Sequence, residues 1–161
     1  MPALTNLISE WKSNGDKVVF TNGVFDLIHQ GHIAYLADAA NLGTKLVIGL
    51  NADESVKILA KGPARPIKDE KSRAIILAAM QFIDAVVIFG ENTPINLIET
   101  LKPNILVKGG DYDSDETNPK SEKYIVGREI VISNGGTVKV IPFLEGFSTT
   151  SLEKKIIALN Q

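Results

Sequence analysis

The stretch that decides the fold reads VVFTNGVFDLIHQGHIAYLADAANL and covers residues 18–42. Its apolar, β-branched beginning predicts a strand, and its end predicts a helix that begins at Gly31. The only two histidines of the chain, His29 and His32, lie between these two elements. A loop from a strand into a helix favours phosphate groups, because backbone N–H groups and the helix dipole attract anions there. Two imidazoles at this place indicate chemistry on a phosphate rather than binding alone.

The alternative interpretation is that one histidine caps the helix while the other packs or faces solvent, as isolated histidines usually do. The pair flanks Gly31, however, and a glycine lets the backbone approach a ligand closely. A zinc site is not expected, because the chain has no cysteine and no third histidine. We therefore expect both histidines to act on a ligand phosphate.

Outward from this stretch, strand-like and helix-like segments alternate. The predicted strands are 17–21, 45–50, 85–89, 105–108 and 138–141, and the predicted helices are 4–14, 31–42, 69–81, 94–101, 121–133 and 151–159. This alternation predicts an α/β fold, a Rossmann-like three-layer α/β/α arrangement with a five-stranded parallel sheet. Ligands of such folds bind at the carboxyl edge of the sheet. The long predicted loops, 57–68 and 109–120, have a length that is often functional.

Composition narrows the class of protein. The 161 residues, 44% of them hydrophobic, predict a single domain over 1–161. A net charge of −2 argues against partners such as nucleic acid or acidic membranes. The absence of cysteine suits a reducing compartment, and residues 1–11 lack the pattern of a signal peptide. No apolar run approaches the roughly 20 residues of a membrane span, so the expected location is the cytoplasm.

Two glycine-containing segments reach the same edge of the predicted sheet. Residues 108–112, KGGDY, allow a close backbone approach, and Asp111 is placed to accept hydrogen bonds from ribose hydroxyls; a plain β-turn is the alternative. Residues 146–150, GFSTT, precede the last predicted helix, where hydroxyls and free N–H groups hold a polyphosphate. Ordinary capping is the alternative there, with Thr150 and Glu153 as a capping box.

A basic group lies between the second strand and the following helix, and it consists of Lys57, Lys61, Arg65 and Arg73. Residues 61–66 combine glycine and proline, which suits a lid over phosphates, whereas a solvated surface is the alternative. Asn51 and Asp53 follow the second strand at the same edge. They are placed either to bind a sugar or alcohol or to cap a short helix.

The residues quoted above resemble a known family. Residues 23–32 match the pattern G-x-F-D-x-x-H-x-G-H of the HxGH nucleotidylyltransferases, the cytidylyltransferase-like superfamily. Within it, the chain is similar to the nucleotidyltransferase domains of ADP-heptose synthases. The segments that carry this similarity keep the family order: 21–26, 51–53, 61–62 with 65–66, 107–112 and 146–150.

The resemblance implies an activity, the adenylylation of D-glycero-β-D-manno-heptose 1-phosphate by ATP. The products are ADP-heptose, a precursor of the lipopolysaccharide inner core, and pyrophosphate. The implied partners are ATP, a sugar 1-phosphate and a separate sugar kinase, with homodimers common in the family. The expected cofactor is Mg²⁺, which accompanies ATP and takes few ligands from the protein, and no metal-binding residue is assigned.

The resemblance also implies roles for residues. It makes His29 and His32 stabilisers of the transition state and adds Lys61 to the catalytic set. Contacts to the nucleotide are implied for Asn22, Gly23, Val24, Phe25, Gly31, Lys108, Gly109, Asp111, Ser148, Thr149 and Thr150. Contacts to the acceptor substrate are implied for Asp26, Asn51, Asp53, Arg65 and Arg73.

Several alternatives stay open at this point. Glycerol-phosphate cytidylyltransferases carry an Arg-Thr pair where this chain has Leu144 and Glu145, which favours the sugar branch. Another cytidylyl or adenylyl acceptor, such as glycerol 3-phosphate, is the alternative within the fold. A fragment of a class I aminoacyl-tRNA synthetase and a catalytically silent nucleotide-binding module are the others.

Overall fold

The structure is a computed structural model that describes residues 2–58 and 65–159. Within these ranges the strands are β1 (Val18–Gly23), β2 (Lys45–Asn51), β3 (Ala85–Phe89), β4 (Ile105–Gly109) and β5 (Thr137–Ile141). The helices are α1 (Pro2–Ser13), α2 (Gln30–Ala40), α3 (Asp53–Ile58), α4 (Glu70–Ala78), α5 (Ile95–Leu101), α6 (Arg128–Ser133) and α7 (Thr149–Leu159). Strands and helices alternate along the chain, as the sequence predicts.

The strands form one parallel sheet in the order β3-β2-β1-β4-β5. Along the chain, β2 and β3 are added on one side of β1, and β4 and β5 are then added on its other side. The reversal lies between β1 and β4, and a crevice opens there at the carboxyl ends of the strands. The predicted Rossmann-like fold with a five-stranded parallel sheet is confirmed.

Alternate side chains of the buried strands point to opposite faces of the sheet and create two cores. On one face, Val19 of β1 packs with apolar residues of α2 and α4, among them Leu36 and Leu77. On the other face, Val18 and Phe20 pack with residues of α1, α5 and α6. Because both faces are covered, the central strands β1, β2 and β4 contain continuous runs of buried residues, whereas edge strand β5 alternates.

The structure corrects the predicted helix over 121–133. Within it, helix α6 covers only Arg128–Ser133, and Gly127 precedes it with a φ of 89°. A Cβ on Gly127 would lie 2.4 Å from Cδ1 of Ile98, so this position requires a glycine in the left-handed region. A regular helix cannot pass through that conformation. Residues 121–126 form bends, turns and irregular backbone instead.

A second difference concerns the segment after β2. Helix α3 occupies Asp53–Ile58, so the short helix that was the alternative interpretation of Asn51 and Asp53 is present. The predicted loop 57–68 starts inside it, and residues 59–64 lie outside the described ranges. No helix of the described residues combines the length and apolar character needed to cross a membrane.

Candidate active site

A cavity of about 890 Å³ lies at the carboxyl edge of the sheet and contains most of the predicted site residues. Its walls come from the ends of β1, β2 and β4, from the start of α2 and from the segment that leads into α7. The predicted residues that line it are Asn22, Gly23, Val24, Phe25, Asp26, His29, Gly31, His32, Asn51, Arg65, Lys108, Gly109, Ser148, Thr149 and Thr150.

The two histidines lie together at the start of α2. His29 occupies the N-cap position in an extended conformation, and the His29 and His32 ring centroids are 4.0 Å apart. The ring of Phe25 meets His32 edge-on at 5.7 Å. A Cβ on Gly31 would lie 3.0 Å from both Cε1 of His29 and Cβ of Phe147. Glycine at this position therefore lets the two rings and the segment before α7 converge on one point.

Burial lowers the pKa of His29 from its ordinary value. No described hydrogen bond reaches the buried Nδ1 atom of His29, so its ring is held by packing against its neighbours. The neutral imidazole is thus the favoured form near pH 7. A neutral ring donates one hydrogen bond, which suits contact with a phosphate oxygen.

The lowered pKa of His29 predicts a pH dependence of stability. Because the folded state disfavours protonation of His29, its contribution to the free energy of unfolding is present above the ordinary pKa of histidine and falls as the pH drops below it. We expect the wild type to lose more stability than His29→Gln between pH 7.5 and pH 5.5. Urea unfolding at both pH values measures this difference, and equal losses in the two proteins would contradict the lowered pKa.

A buried hydrogen bond joins β1 to α2 behind the histidines. The hydroxyls of Thr21 and Tyr35 lie 2.7 Å apart, and both residues are buried. Burial raises the pKa of Tyr35 to about 12, so its hydroxyl stays protonated at neutral pH. This contact fixes α2 on β1 and thereby fixes where His32 presents its ring.

Asp26 organises the return of the chain into the site. Its buried carboxylate accepts hydrogen bonds from the backbone N–H groups of Ile67 and Lys68. It also forms an ion pair with Arg65, in which Nη1 of Arg65 lies 2.6 Å from Oδ2 of Asp26. Burial alone raises the pKa of this carboxyl, but the two N–H groups and the Arg65 guanidinium lower it below its usual range. Asp26 therefore holds residues 65–68 against the loop 24–29 between β1 and α2, which we call the motif loop.

Arg65 links this segment to the last helix. Its second guanidinium nitrogen pairs with Glu153 of α7, and the side chain lines the cavity. The capping residue of α7 is Ser148, whose Oγ accepts a hydrogen bond from the backbone N–H of Ser151 at 3.0 Å. The predicted capping box of Thr150 and Glu153 is therefore wrong, because Glu153 turns towards Arg65 instead.

Arg73 and Asp53 do not line the cavity. The fully buried guanidinium of Arg73 donates to the carbonyl oxygens of Val24 and Lys68 and to Oδ1 of Asp53, with the Asp53 contact at 2.6 Å. These bonds brace the motif loop from behind, where Phe25 adopts a φ of 49° that is costly for a bulky residue. We therefore assign Arg73 and Asp53 to the support of the loop rather than to substrate contact.

The fourth strand contributes a cation to the cavity. Nζ of Lys108 donates to Oδ1 of Asn22 at 2.5 Å and lies 5.4 Å from the ring centroid of Tyr112. Asp111, predicted to contact ribose, is exposed and lines a smaller neighbouring cleft of about 470 Å³. The predicted catalytic residue Lys61 lies outside the described residues.

Sequence reasoning missed several residues of the cavity wall. Asn92 and Thr93 come shortly after β3, much as Asn51 ends β2, so their place near the strand ends was a signal that the sequence carried. Others come from the segments after β4 and β5, which have no periodic pattern, among them Glu122, Tyr124 and Phe143. In the described part of the chain, no cluster of three or more histidines and carboxylates is placed to hold a metal ion.

Comparisons with known proteins agree with this geometry. Residues 20–155 match the model of the cytidylyltransferase-like family. The chain is 49% identical over 157 residues to the bifunctional protein HldE of Geobacter sulfurreducens and 50% identical over 158 residues to that of Citrifermentans bemidjiense. These alignments cover 98% of this chain but only 30% and 31% of the relatives, so the chain spans less than a third of their length.

A solved structure shares the fold. The lipopolysaccharide core biosynthesis protein of Thermoplasma volcanium GSS1 superposes with a TM-score of 0.61 at 28% identity. The match covers 81% of this chain and 98% of that protein. The chain therefore belongs to the cytidylyltransferase-like family and is a nucleotidyltransferase enzyme.

Proposed function

We propose that the enzyme transfers AMP from ATP to a sugar 1-phosphate, D-glycero-β-D-manno-heptose 1-phosphate, and releases ADP-heptose and pyrophosphate. The observation that carries the proposal is the pair of imidazoles, with ring centroids 4.0 Å apart at the start of α2. They line a cavity of about 890 Å³, in the range of pockets that hold a nucleotide and a small second substrate.

In the proposed reaction an oxygen of the sugar phosphate attacks the α-phosphorus of ATP in line, and pyrophosphate leaves. The attacking oxygen is already anionic, so no general base is required, and catalysis comes from positioning and from neutralising charge. His29 and His32 donate hydrogen bonds to the α-phosphate oxygens as negative charge builds there. Their fixed packing means that little reorganisation is needed in the transition state.

The start of α7 is proposed to hold the β- and γ-phosphates. Residues 148–150 lie in the cavity wall, and the first N–H groups of a helix attract anions. Arg65 and Lys61 are proposed to add positive charge at the leaving group. Mg²⁺ fits this site as an ion carried by the nucleotide phosphates, because Asp26 and Glu153 are already engaged by Arg65.

Two lines of support favour a sugar acceptor. The chain resembles ADP-heptose synthases in its motif segments, and one structurally similar protein is a lipopolysaccharide core biosynthesis protein. The β2–β3 side of the cavity also presents hydrogen-bonding groups from Asn51, Asn92 and Thr93, which suit a polyhydroxy substrate. We further propose that a sugar kinase supplies the acceptor, that the enzyme works in the cytoplasm and that it forms a homodimer.

A grid of nucleotides and acceptors tests the proposal by pyrophosphate release. With Mg²⁺ present, the highest kcat/KM is expected for ATP with D-glycero-β-D-manno-heptose 1-phosphate. Acceptors that lack hydroxyls are expected to be rejected by up to ~10⁴-fold, because polar groups of the site would remain unpaired. His29→Ala protein run in parallel controls for contaminating activity. Robust turnover of CTP with glycerol 3-phosphate, and none of the heptose phosphate, would instead establish the alternative acceptor.

A further inference from the structure

The cavity has two chemically different sides. The side beneath β2 and β3 is polar, with Asn51, Arg65 and Asn92 in its wall. The side beneath β4 and β5, which we call the aromatic side, is formed by Tyr112, Tyr124 and Phe143. The histidines and the start of α7 lie between the two sides. If the α-phosphate of a nucleotide contacts the histidines, its base lies either on the polar side or on the aromatic side of the cavity. The flat apolar faces of a base favour contact with the aromatic rings.

Phe143 lies directly on the backbone of the fourth strand's end. A Cβ on Gly109 would lie 2.4 Å from Cε1 of Phe143, and one on Gly110 would lie 2.1 Å from Cε2. The glycines therefore allow the ring to rest on bare backbone. The side chain is still 58% exposed, so the face that does not touch the glycines is open to solvent within the cavity wall.

The other aromatic residues are less available, and Tyr124 is already partly buried. The ammonium group of Lys108 lies 5.4 Å from the ring centroid of Tyr112. Phe147 approaches Gly31 and His29, at the phosphate end of the cavity. Phe143 therefore offers an open ring face away from the phosphate-binding elements.

We propose that Phe143 is the stacking platform for the nucleotide base and a determinant of base specificity, favouring a purine. This inference rests on the proposed function, since it takes the transferred group to be a nucleotide held at the histidines. A purine covers more of a phenyl ring than a pyrimidine does, so it gains more from stacking. The two glycines set the height of the ring above the strand end and thus the depth at which the base binds.

Calorimetric titration of the full chain tests the platform with two ligands, Mg²⁺-ATP and Mg²⁺-tripolyphosphate, which lacks a base. Phe143→Ala is expected to weaken ATP binding by roughly 10-fold or more, the usual effect of losing one stacked base. Tripolyphosphate binding should not change, and the loss for CTP should be smaller than for ATP. Phe143→Tyr, which keeps the ring, should retain ATP affinity. Equal melting temperatures of the variants confirm that the fold is intact.

A double-mutant comparison tests the role of the glycine. The three atoms nearest to a Cβ on Gly109 all belong to the Phe143 ring, so Gly109→Ala displaces that ring. Gly109→Ala should weaken ATP binding in the wild type but add no loss in the Phe143→Ala background. Additive losses would show that Gly109 does not act through the ring and would overturn this part of the inference.

The outcomes also separate this inference from the proposed function. If Phe143→Ala leaves ATP affinity unchanged, or weakens ATP and tripolyphosphate equally, the stacking platform is wrong while a phosphate site remains. If the wild type binds neither ligand, the nucleotide site itself is wrong, and both proposals are overturned.

Discussion

Replacing His29 or His32 by alanine is expected to lower kcat by ~10²–10³-fold each, the effect of removing one preorganised donor from a developing negative charge. Both rings lie at the start of α2, and their centroids are 4.0 Å apart. If they stabilise the same phosphate, the double variant should lose less than the product of the two single losses. Single-turnover pyrophosphate release separates this chemical step from substrate binding.

The matched control for these variants is Ile33→Ala. Ile33 lies next to His32 on α2, is 45% exposed and does not line the cavity. It should keep near wild-type turnover, whereas His29→Ala and His32→Ala should remain folded by circular dichroism. Folded histidine variants with wild-type kcat would contradict the proposed stabilisation of the transition state.

Replacing Arg73 by methionine is expected to lower the free energy of unfolding by about 2–4 kcal/mol, because buried partners lose their donors. The guanidinium is fully buried and donates to the carbonyl oxygens of Val24 and Lys68. Methionine fills much of the space but donates nothing. Asp53 loses its partner too, although its side chain is 30% exposed and is rehydrated in part.

Urea unfolding measures this loss, and two controls separate its causes. Asp53→Asn removes one of the contacts of Arg73 and should cost less than the arginine variant. Lys71→Met makes a similar chemical change on the exposed side of α4 and should stay within about 0.5 kcal/mol of the wild type. A stability of Arg73→Met equal to that of Lys71→Met would show that the buried bonds do not brace the loop.

The strands could be predicted closely from the sequence because a parallel sheet covered on both faces produces short runs of β-branched residues. Segment 85–89 was predicted with its exact bounds, and the other strands differed by one or two residues at an end. The helix over 121–133 failed for a tertiary reason. Gly127 has a φ of 89°, which no regular helix accommodates, and it packs against Ile98, a residue distant in sequence.

Residues of the candidate site could be predicted where polar or charged side chains lie near the carboxyl end of a strand or the start of a helix. The motif loop, Asn51, Lys108 and residues 148–150 all lie in the cavity wall. The sequence could not show that Arg65 lines the cavity whereas Arg73 supports the motif loop. That difference depends on how α4 packs against the loop, which only the tertiary structure shows. Phe143 was missed for a similar reason, because its ring packs on Gly109 and Gly110, which lie at and just after the end of β4. The catalytic and binding roles of these residues stay predictions.

The attachment of α7 has a thermodynamic consequence. None of residues Thr149–Leu159 is buried, and one contact of the helix with the rest of the protein is the ion pair between Arg65 and Glu153. An isolated helix of this length is marginal, so α7 belongs to the part of the molecule that opens at low free energy, well before the sheet unfolds. Under the proposed function, part of the binding free energy of a triphosphate at the start of α7 would be used to order this helix. Triphosphate binding and the ordering of α7 would then be coupled, so that a change in the stability of the helix would change the affinity for the ligand.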